Sequence, residues 1–153
     1  MAMDLTDEQV YRKYAAELLR FAAGLVGPSA ADDVLSSAFV RAITSPRWPW
    51  IDDRRSYLYR TVLNEARQHF RGDRRRLTRE FLASRSEAVD SAESDVDLAE
   101  ALARLATEER AVVFLTYWVG FTVSESATAL ALSPRTVERH LQHARAHLRK
   151  ALL

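Results

Sequence analysis

The sequence predicts an all-α protein: two small helical domains joined by an acidic linker, the C-terminal one a helix-turn-helix. Three observations point there. Apolar residues recur at helical spacing on both sides of the midpoint, a period that strands do not share. Charge reverses near residue 80, from an arginine-dense segment to one rich in Glu, Asp, Ser and Ala. Residues 122–150, TVSESATALALSPRTVERHLQHARAHLRK, read as two short helices around a turn, the second with a basic outer face. The boundaries that follow are residues 1–76, 77–97 and 98–153.

Thr6, with Gln9 three residues on, can cap a first helix, hydroxyl and amide each satisfying a backbone N–H that the helix end leaves free. Val10, Tyr14, Leu18, Phe21 and Leu25 form its buried stripe, and Gly27-Pro28 ends it. Ser29 is placed to cap a second helix reaching about Thr44, with Asp32 and Asp33 in its first turn, where the dipole favours negative charge. Val34, Leu35, Ala38 and Phe39 are its apolar content. Adjacent carboxylates invite an acid/base or metal role, but helix neighbours point about 100° apart and no third ligand lies nearby. Helix-end electrostatics or a partner contact is the better reading.

Pro46 and Pro49 push the residues before them toward extended geometry, so residues 45–50 form a loop holding Trp48 and Trp50. Such a loop either stacks unpaired bases or covers a helical core with its indoles. The next helix tips the balance toward nucleic acid. Leu58, Val62, Ala66 and Phe70 face inward, while Arg54, Arg55, Arg60, Arg67, Arg71, Arg74, Arg75, Arg76 and Arg79 are opposed only by Glu65 and Asp73. That density suits phosphates, and arginine also binds bases bidentately.

Residues 80–100 carry Arg85 as their only cation and lose apolar periodicity, which marks a tether. Leu98, Leu102 and Leu105 then lead to a helix start at Thr107, and Val112, Val113, Leu115, Thr116 and Trp118 precede a stop at Gly120. Thr122 with Glu125 is a second capping box, opening a helix whose Val123, Ala127 and Leu130 share one side. Ser133 can cap the last helix and Pro134 fits its first position, where a missing N–H costs nothing. Val137, Leu141, Ala144 and Leu148 fall on one face of it, with Arg135, Arg139 and Gln142 nearly opposite. In a helix-turn-helix the second helix enters the major groove and its N-terminal turns meet base edges; a solvated surface helix is the plainer alternative. His140, His143 and His147 lie on one flank. His143 and His147 have the i, i+4 spacing of metal ligands, but nothing evidently completes a set, so phosphate contact or solvation is preferred.

A hydrophobic fraction of 48% supports modest cores, and a net charge of +1 excludes nothing, because the distribution of charge matters more than its sum. Without cysteine there is neither a disulfide nor a thiolate metal site. The acidic opening MAMDLTDE does not resemble a signal peptide, and residues 111–121 are too short to span a bilayer. A cytoplasmic protein with no membrane association is expected. No catalytic constellation emerges.

The residues now on the page support a family resemblance covering nearly everything except the tails and linker. The chain resembles a bacterial RNA polymerase sigma factor of the extracytoplasmic-function type, which keeps regions two and four of larger sigma factors. The region-four match comprises Leu105-Ala106-Thr107-Glu108-Glu109-Arg110, Trp118-Val119-Gly120-Phe121-Thr122, Glu125 with Ala127, Ser133-Pro134-Arg135-Thr136-Val137, and Ala144-Arg145 with Leu148. In region two the matching residues are Asp32-Asp33-Val34-Leu35 with Phe39, Tyr57-Leu58-Tyr59-Arg60, Asn64 and Arg71. Departures include Ser36 and Ser37, where the family usually has Gln and an acidic residue, Gln68 for Asp, and Tyr57 for tryptophan.

The resemblance implies a subunit that binds core RNA polymerase and promoter DNA and needs no cofactor, metal or small-molecule substrate. Polymerase would be met through Asp32, Asp33, Leu35, Phe39 and Arg41. The minus-ten element would be met through Trp48, Trp50, Tyr57, Arg60, Asn64, Arg67 and Arg71, and the minus-thirty-five element through Arg135, Thr136, Glu138, Arg139, Gln142 and His143. An anti-sigma partner, if there is one, would act in trans. The alternatives are a stand-alone helix-turn-helix regulator, as in response-regulator output domains, and a helical adaptor.

Overall fold

The computed structural model describes residues 5–71, 79 and 93–153, and every described element is helical. Of the expected linker, only Arg79 and the first residues of the next helix are described; Arg74, Arg75 and Arg76 lie outside.

Helix α1 (Asp7–Val26) opens on the expected capping box: Gln9 N–H donates to Thr6 Oγ1 at 3.2 Å and Thr6 N–H to Gln9 Oε1 at 2.9 Å. Helix α2 (Pro28–Thr44) starts two residues earlier than a cap at Ser29 would give. Gly27 holds the cap position and Pro28, lacking an N–H, occupies the first turn without cost. Asp32 and Asp33 therefore stand beyond that turn, and the helix dipole does not account for them. A 3-10 turn (Trp48–Trp50) leads to α3 (Arg54–His69), whose cap is Asp53 accepting from Ser56 N–H at 3.0 Å.

Helix α4 (Glu93–Ala103) begins inside the stretch expected as linker, where Ala and Glu are good helix formers and α7 offers a packing surface. Helix α5 (Thr107–Phe114) runs on as a π-helical turn, Leu115–Val119, ended by Gly120 at φ 84°. That left-handed backbone would strain any other residue, although a Cβ would meet only open space. Helices α6 (Val123–Leu130) and α7 (Pro134–Leu152) form the helix-turn-helix, with the capping box at Thr122 and Glu125 and the Ser133 cap as expected.

The two halves share their main core, and a small second cluster of Leu105, Val113 and Ala144 lies within the C-terminal half. One apolar cluster runs from Val10, Leu18 and Phe21 through Leu58, Tyr59 and Val62 to Val112, Leu115, Leu130 and Val137. Helix α3 is the reason: it rests on α1 and α2 and also receives α5 and α6, so Tyr59 and Leu63 are buried beside the expected Leu58, Val62 and Ala66. At Gly24 of α1, an added Cβ would fall 3.1 Å from the Phe114 ring, so the missing side chain lets α5 approach.

Arg110 fastens this junction. It is buried, and its Nη1 donates to the carbonyls of Ala103 and Leu105 at 3.0 and 3.1 Å. Its Nη2 donates to Leu25 of α1 at 2.8 Å, and the guanidinium stands 5.2 Å from the Phe70 ring centre. Replacing Arg110 by Ala strips three carbonyls of a charged donor, and each such group left unsatisfied in an interior costs about 1–3 kcal/mol. Arg110→Ala is expected to lower unfolding free energy by roughly 3 kcal/mol or more in a urea titration, with Arg110→Lys recovering only part of it.

Candidate nucleic-acid interface

Helix α3 is held in register by a charged cluster at its first turns. Arg55 grips Glu17 of α1 bidentately (Nε at 3.1 Å to both oxygens, Nη2 at 2.7 Å to Oε2), and Tyr59 Oη donates to Glu17 Oε2 at 2.7 Å. Burial pushes the Glu17 carboxyl pKa up, but the hydrogen bonds from Arg55 and Tyr59 and the charges of Arg55 and Arg20 outweigh it, leaving Glu17 below its ordinary value. The Tyr59 phenol is driven upward by burial and by its bond to the carboxylate. Arg55 also stands over Phe121 at 4.8 Å, and Arg54 over Trp48 at 4.7 Å while donating to Leu5 O. Two of the cations counted along this helix thus hold the fold together.

The two tryptophans divide the roles weighed for their loop. Trp48 is only 4% exposed, its indole N–H donating to Asp7 Oδ1 at 2.8 Å and its ring near Tyr57, so in this conformation it has no open face for a base. Trp50 is 84% exposed. Alternation explains the split: Pro49 separates two residues that a tight turn points opposite ways.

Further along α3, Asn64 is exposed and its Oδ1 accepts from Arg67 Nη1 at 2.8 Å; Arg71 is exposed just past the helix end. Arg60 and Arg67 reach across to the other half of the chain. Arg60 Nη2 donates to the Thr128 carbonyl at 3.0 Å, and Arg67 pairs with Glu108.

On α2, Asp32 and Asp33 are exposed, whereas Leu35 is a core residue and Phe39 is half-buried, edge-on to Tyr11 at 5.0 Å. Leu35 was expected at the polymerase contact; its place on the inner stripe of α2, in step with Ala31 and Ala38, turns it inward instead. Arg41 pairs with Glu65 of α3. Exposed Val40, 56% accessible, joins Asp33, Ser36 and Ser37 on the outer side, and sequence reasoning missed it because it counts as one more apolar helix position.

On α7 the expected polarity is complete. Val137, Leu141 and Ala144 are buried; Arg135, Glu138, Arg139 and Gln142 are exposed. Thr136 is half-buried, its Oγ1 2.8 Å from Ser133 Oγ, so part of its hydrogen-bonding capacity serves the cap. His143 is exposed, with Nδ1 3.3 Å from Glu109 Oε2. Glu109 is thus the carboxylate beside the histidine flank, yet among the described residues no three such side chains are grouped to hold a metal ion.

The chain matches known proteins over most of its length. Residues 10–76 match the sigma-70 region 2 family and residues 95–148 the sigma-70 region 4 family. The chain is 34% identical over 152 residues to the RNA polymerase sigma-E factor of Streptomyces antibioticus, covering 95% of this chain and 83% of that one. This chain belongs to the extracytoplasmic-function sigma factors of bacterial RNA polymerase. The sigma factor is also 30% identical to SigL of Mycobacterium tuberculosis over 162 residues, covering 94% of this chain and 86% of that one. CnrH, solved in complex with the cytosolic domain of CnrY, superposes with a TM-score of 0.64 at 29% identity, over 95% of this chain and 86% of that one. RpoE of Bartonella quintana, solved with the anti-sigma factor NepR, shares the fold with a TM-score of 0.69 at 19% identity, over 95% of each chain.

The Glu17 cluster gives the sigma factor an acid limit. Because the folded carboxyl titrates below its unfolded value of 4.5, its contribution to stability is present above that pH and is lost as pH falls through the folded value. Thermal melts are expected to drop more steeply below pH 4.5 for the wild type than for Glu17→Gln, which starts lower and stays flatter.

Proposed function

Sigma factors direct RNA polymerase to promoters, and we propose how this one divides that task among its residues. Helix α7 reads the minus-thirty-five element as intact duplex through Arg135, Thr136, Glu138, Arg139, Gln142 and His143. Arginine suits guanine, glutamine adenine, and a carboxylate accepts from cytosine. The minus-ten element is met by α3 and the loop before it. Trp50 offers the stacking face, Asn64 a paired donor and acceptor for a base edge, and Arg60, Arg67 and Arg71 hold phosphates. Trp48 and Tyr57 set the loop's position from beneath.

Polymerase docks on the outer side of α2, where Asp32 and Asp33 are exposed; Leu35 and Phe39 seat the helix, and Arg41 orients α3 through Glu65. Catalysis is left to polymerase. The work takes place in the cytoplasm, where the polymerase it serves is found; among the described residues no helix is long and apolar enough to cross a membrane. CnrH and RpoE were solved with bound regulatory partners, and a regulator acting in trans fits this chain as well.

The observation that carries the reading is the polarity of α7: one face is buried at Val137, Leu141 and Ala144 while the opposite face presents Arg135, Glu138, Arg139 and Gln142 to solvent. Reconstituted transcription on a genomic library tests it. Core polymerase plus this chain is expected to give run-off products at discrete starts that core alone does not make; tight duplex binding at a palindrome without polymerase would favour a stand-alone regulator instead. In the same assay Trp50→Ala is expected to cost about 1–3 kcal/mol in promoter opening while leaving the melting temperature unchanged. Arg139→Ala is expected to cost about 1–3 kcal/mol at one base position of the minus-thirty-five element; equal weakening on every sequence would show that Arg139 touches only phosphate.

A further inference from the structure

A cleft of about 680 Å³ is lined by residues of α1, α3, α4, α5 and the π-helical turn, and none of them is assigned to promoter or polymerase. Small-molecule sites occupy about 300–1,000 Å³. Ala23, Gly24, Leu102, Val113, Phe114 and Trp118 give the cleft its apolar walls.

Trp118 is the part of those walls that packing does not explain. The sequence places it in the apolar run before Gly120, yet it is 60% exposed. Its indole lies parallel to the Phe114 ring, with 7° between the planes and 5.8 Å between the centres. It stands on the π-helical turn, a widened geometry that proteins use mostly at functional sites. A large flat ring, backed by a second one and left open to a cleft, is a platform for an aromatic guest.

Charge in the cleft is unbalanced. Arg20, Arg55 and Arg110 line it against the carboxylate of Glu17. Both oxygens of that carboxylate already accept from Arg55, and Oε2 also accepts from Tyr59. Arg110 is committed to carbonyls. Arg20 differs: it is exposed and its charge reaches Glu17, but it makes no hydrogen bond or ion pair with any described residue. Its guanidinium is therefore open to an acid from solution, which it would hold by charge-assisted hydrogen bonds.

We propose that this cleft of the sigma factor binds a small aromatic carboxylate, its ring laid on Trp118 and its acid group on Arg20. Such a ligand touches α1 of region two and the π-helical turn of region four together, at a place separate from both DNA-reading surfaces.

Naphthoate is the probe, and naphthylmethanol, with the same ring and a neutral alcohol, is its counterpart in isothermal titration on the full chain. Naphthoate is expected to bind at one site with a Kd on the order of 0.1 mM, in keeping with its size. Naphthylmethanol is expected to bind about tenfold more weakly, having lost the charge-assisted contact. Arg20→Gln is expected to weaken naphthoate about three- to tenfold without moving naphthylmethanol, and Trp118→Ala to weaken both. Arg12→Gln removes another exposed arginine of α1, outside the cleft, and is expected to change neither. Equal binding of acid and alcohol, or an Arg20→Gln chain that behaves like Arg12→Gln, overturns the acid's place on Arg20. Binding lost on Trp50→Ala but kept on Trp118→Ala puts the ring on the other exposed indole and overturns the site. No binding up to about 1 mM, ten times the expected Kd, overturns the proposal outright.

Discussion

A guanidinium does not shed its proton at any ordinary pH, so burying Arg110 obliges the chain to bring it acceptors. Among them are the carbonyls of Ala103, Leu105 and Leu25, two of which stand at helix ends. Ala103 is the last residue of α4 and Leu25 stands one residue from the end of α1, and helix ends leave such carbonyls without intrahelical partners. One side chain of α5 therefore completes two helix termini that are remote in sequence. Removing it would leave a hole lined by unsatisfied carbonyls at the place where the two regions meet, and for that reason the shared core and the arrangement of α3 beneath region four both depend on it.

Helix α3 shows what that arrangement costs in exposed charge. Its sequence advertises a continuous cationic face, yet Arg55 is committed to Glu17 and Arg54 to the Trp48 ring and the Leu5 carbonyl. These contacts lie within region two and do not depend on where region four sits. Arg60 and Arg67 are different, since both of their acceptors belong to region four. The helix thus carries two classes of arginine, one that builds the platform and one that reaches across to the other region.

Much of this was legible in the sequence because it was written in local chemistry. The boxes at Thr6 and Thr122, the Ser133-Pro134 start and the stop at Gly120 act over three or four residues and need no tertiary partner. The outward face of α7 was legible for the same reason, its period running unbroken over nineteen residues. What was not legible is long-range. Trp48 and Trp50 look alike in sequence, and only Asp7, forty-one residues away, selects which indole is buried. Tyr59 lies within the apolar arc of α3, but its partners, Glu17 and Phe21 on α1 and Phe121 from region four, are distant in sequence. Arg110 reads as one more charge in a helix start; the signal that singles it out is the apolar run that follows it immediately, which leaves it no solvent-facing route.

The two recognition surfaces are not treated alike. Helix α7 keeps Arg135, Arg139 and Gln142 exposed, whereas α3 has Arg60 and Arg67 engaged. That asymmetry follows from what each surface would meet in a cell. Duplex is everywhere and binds a few surface arginines weakly and reversibly, so an open α7 face costs little. A cationic groove with a free aromatic would hold any single strand it met, and each phosphate contact on a single strand contributes about 0.7 to the salt exponent of binding. With Arg60 and Arg67 engaged by region four, Trp50, Asn64 and Arg71 are the described residues assigned to that side that stay exposed.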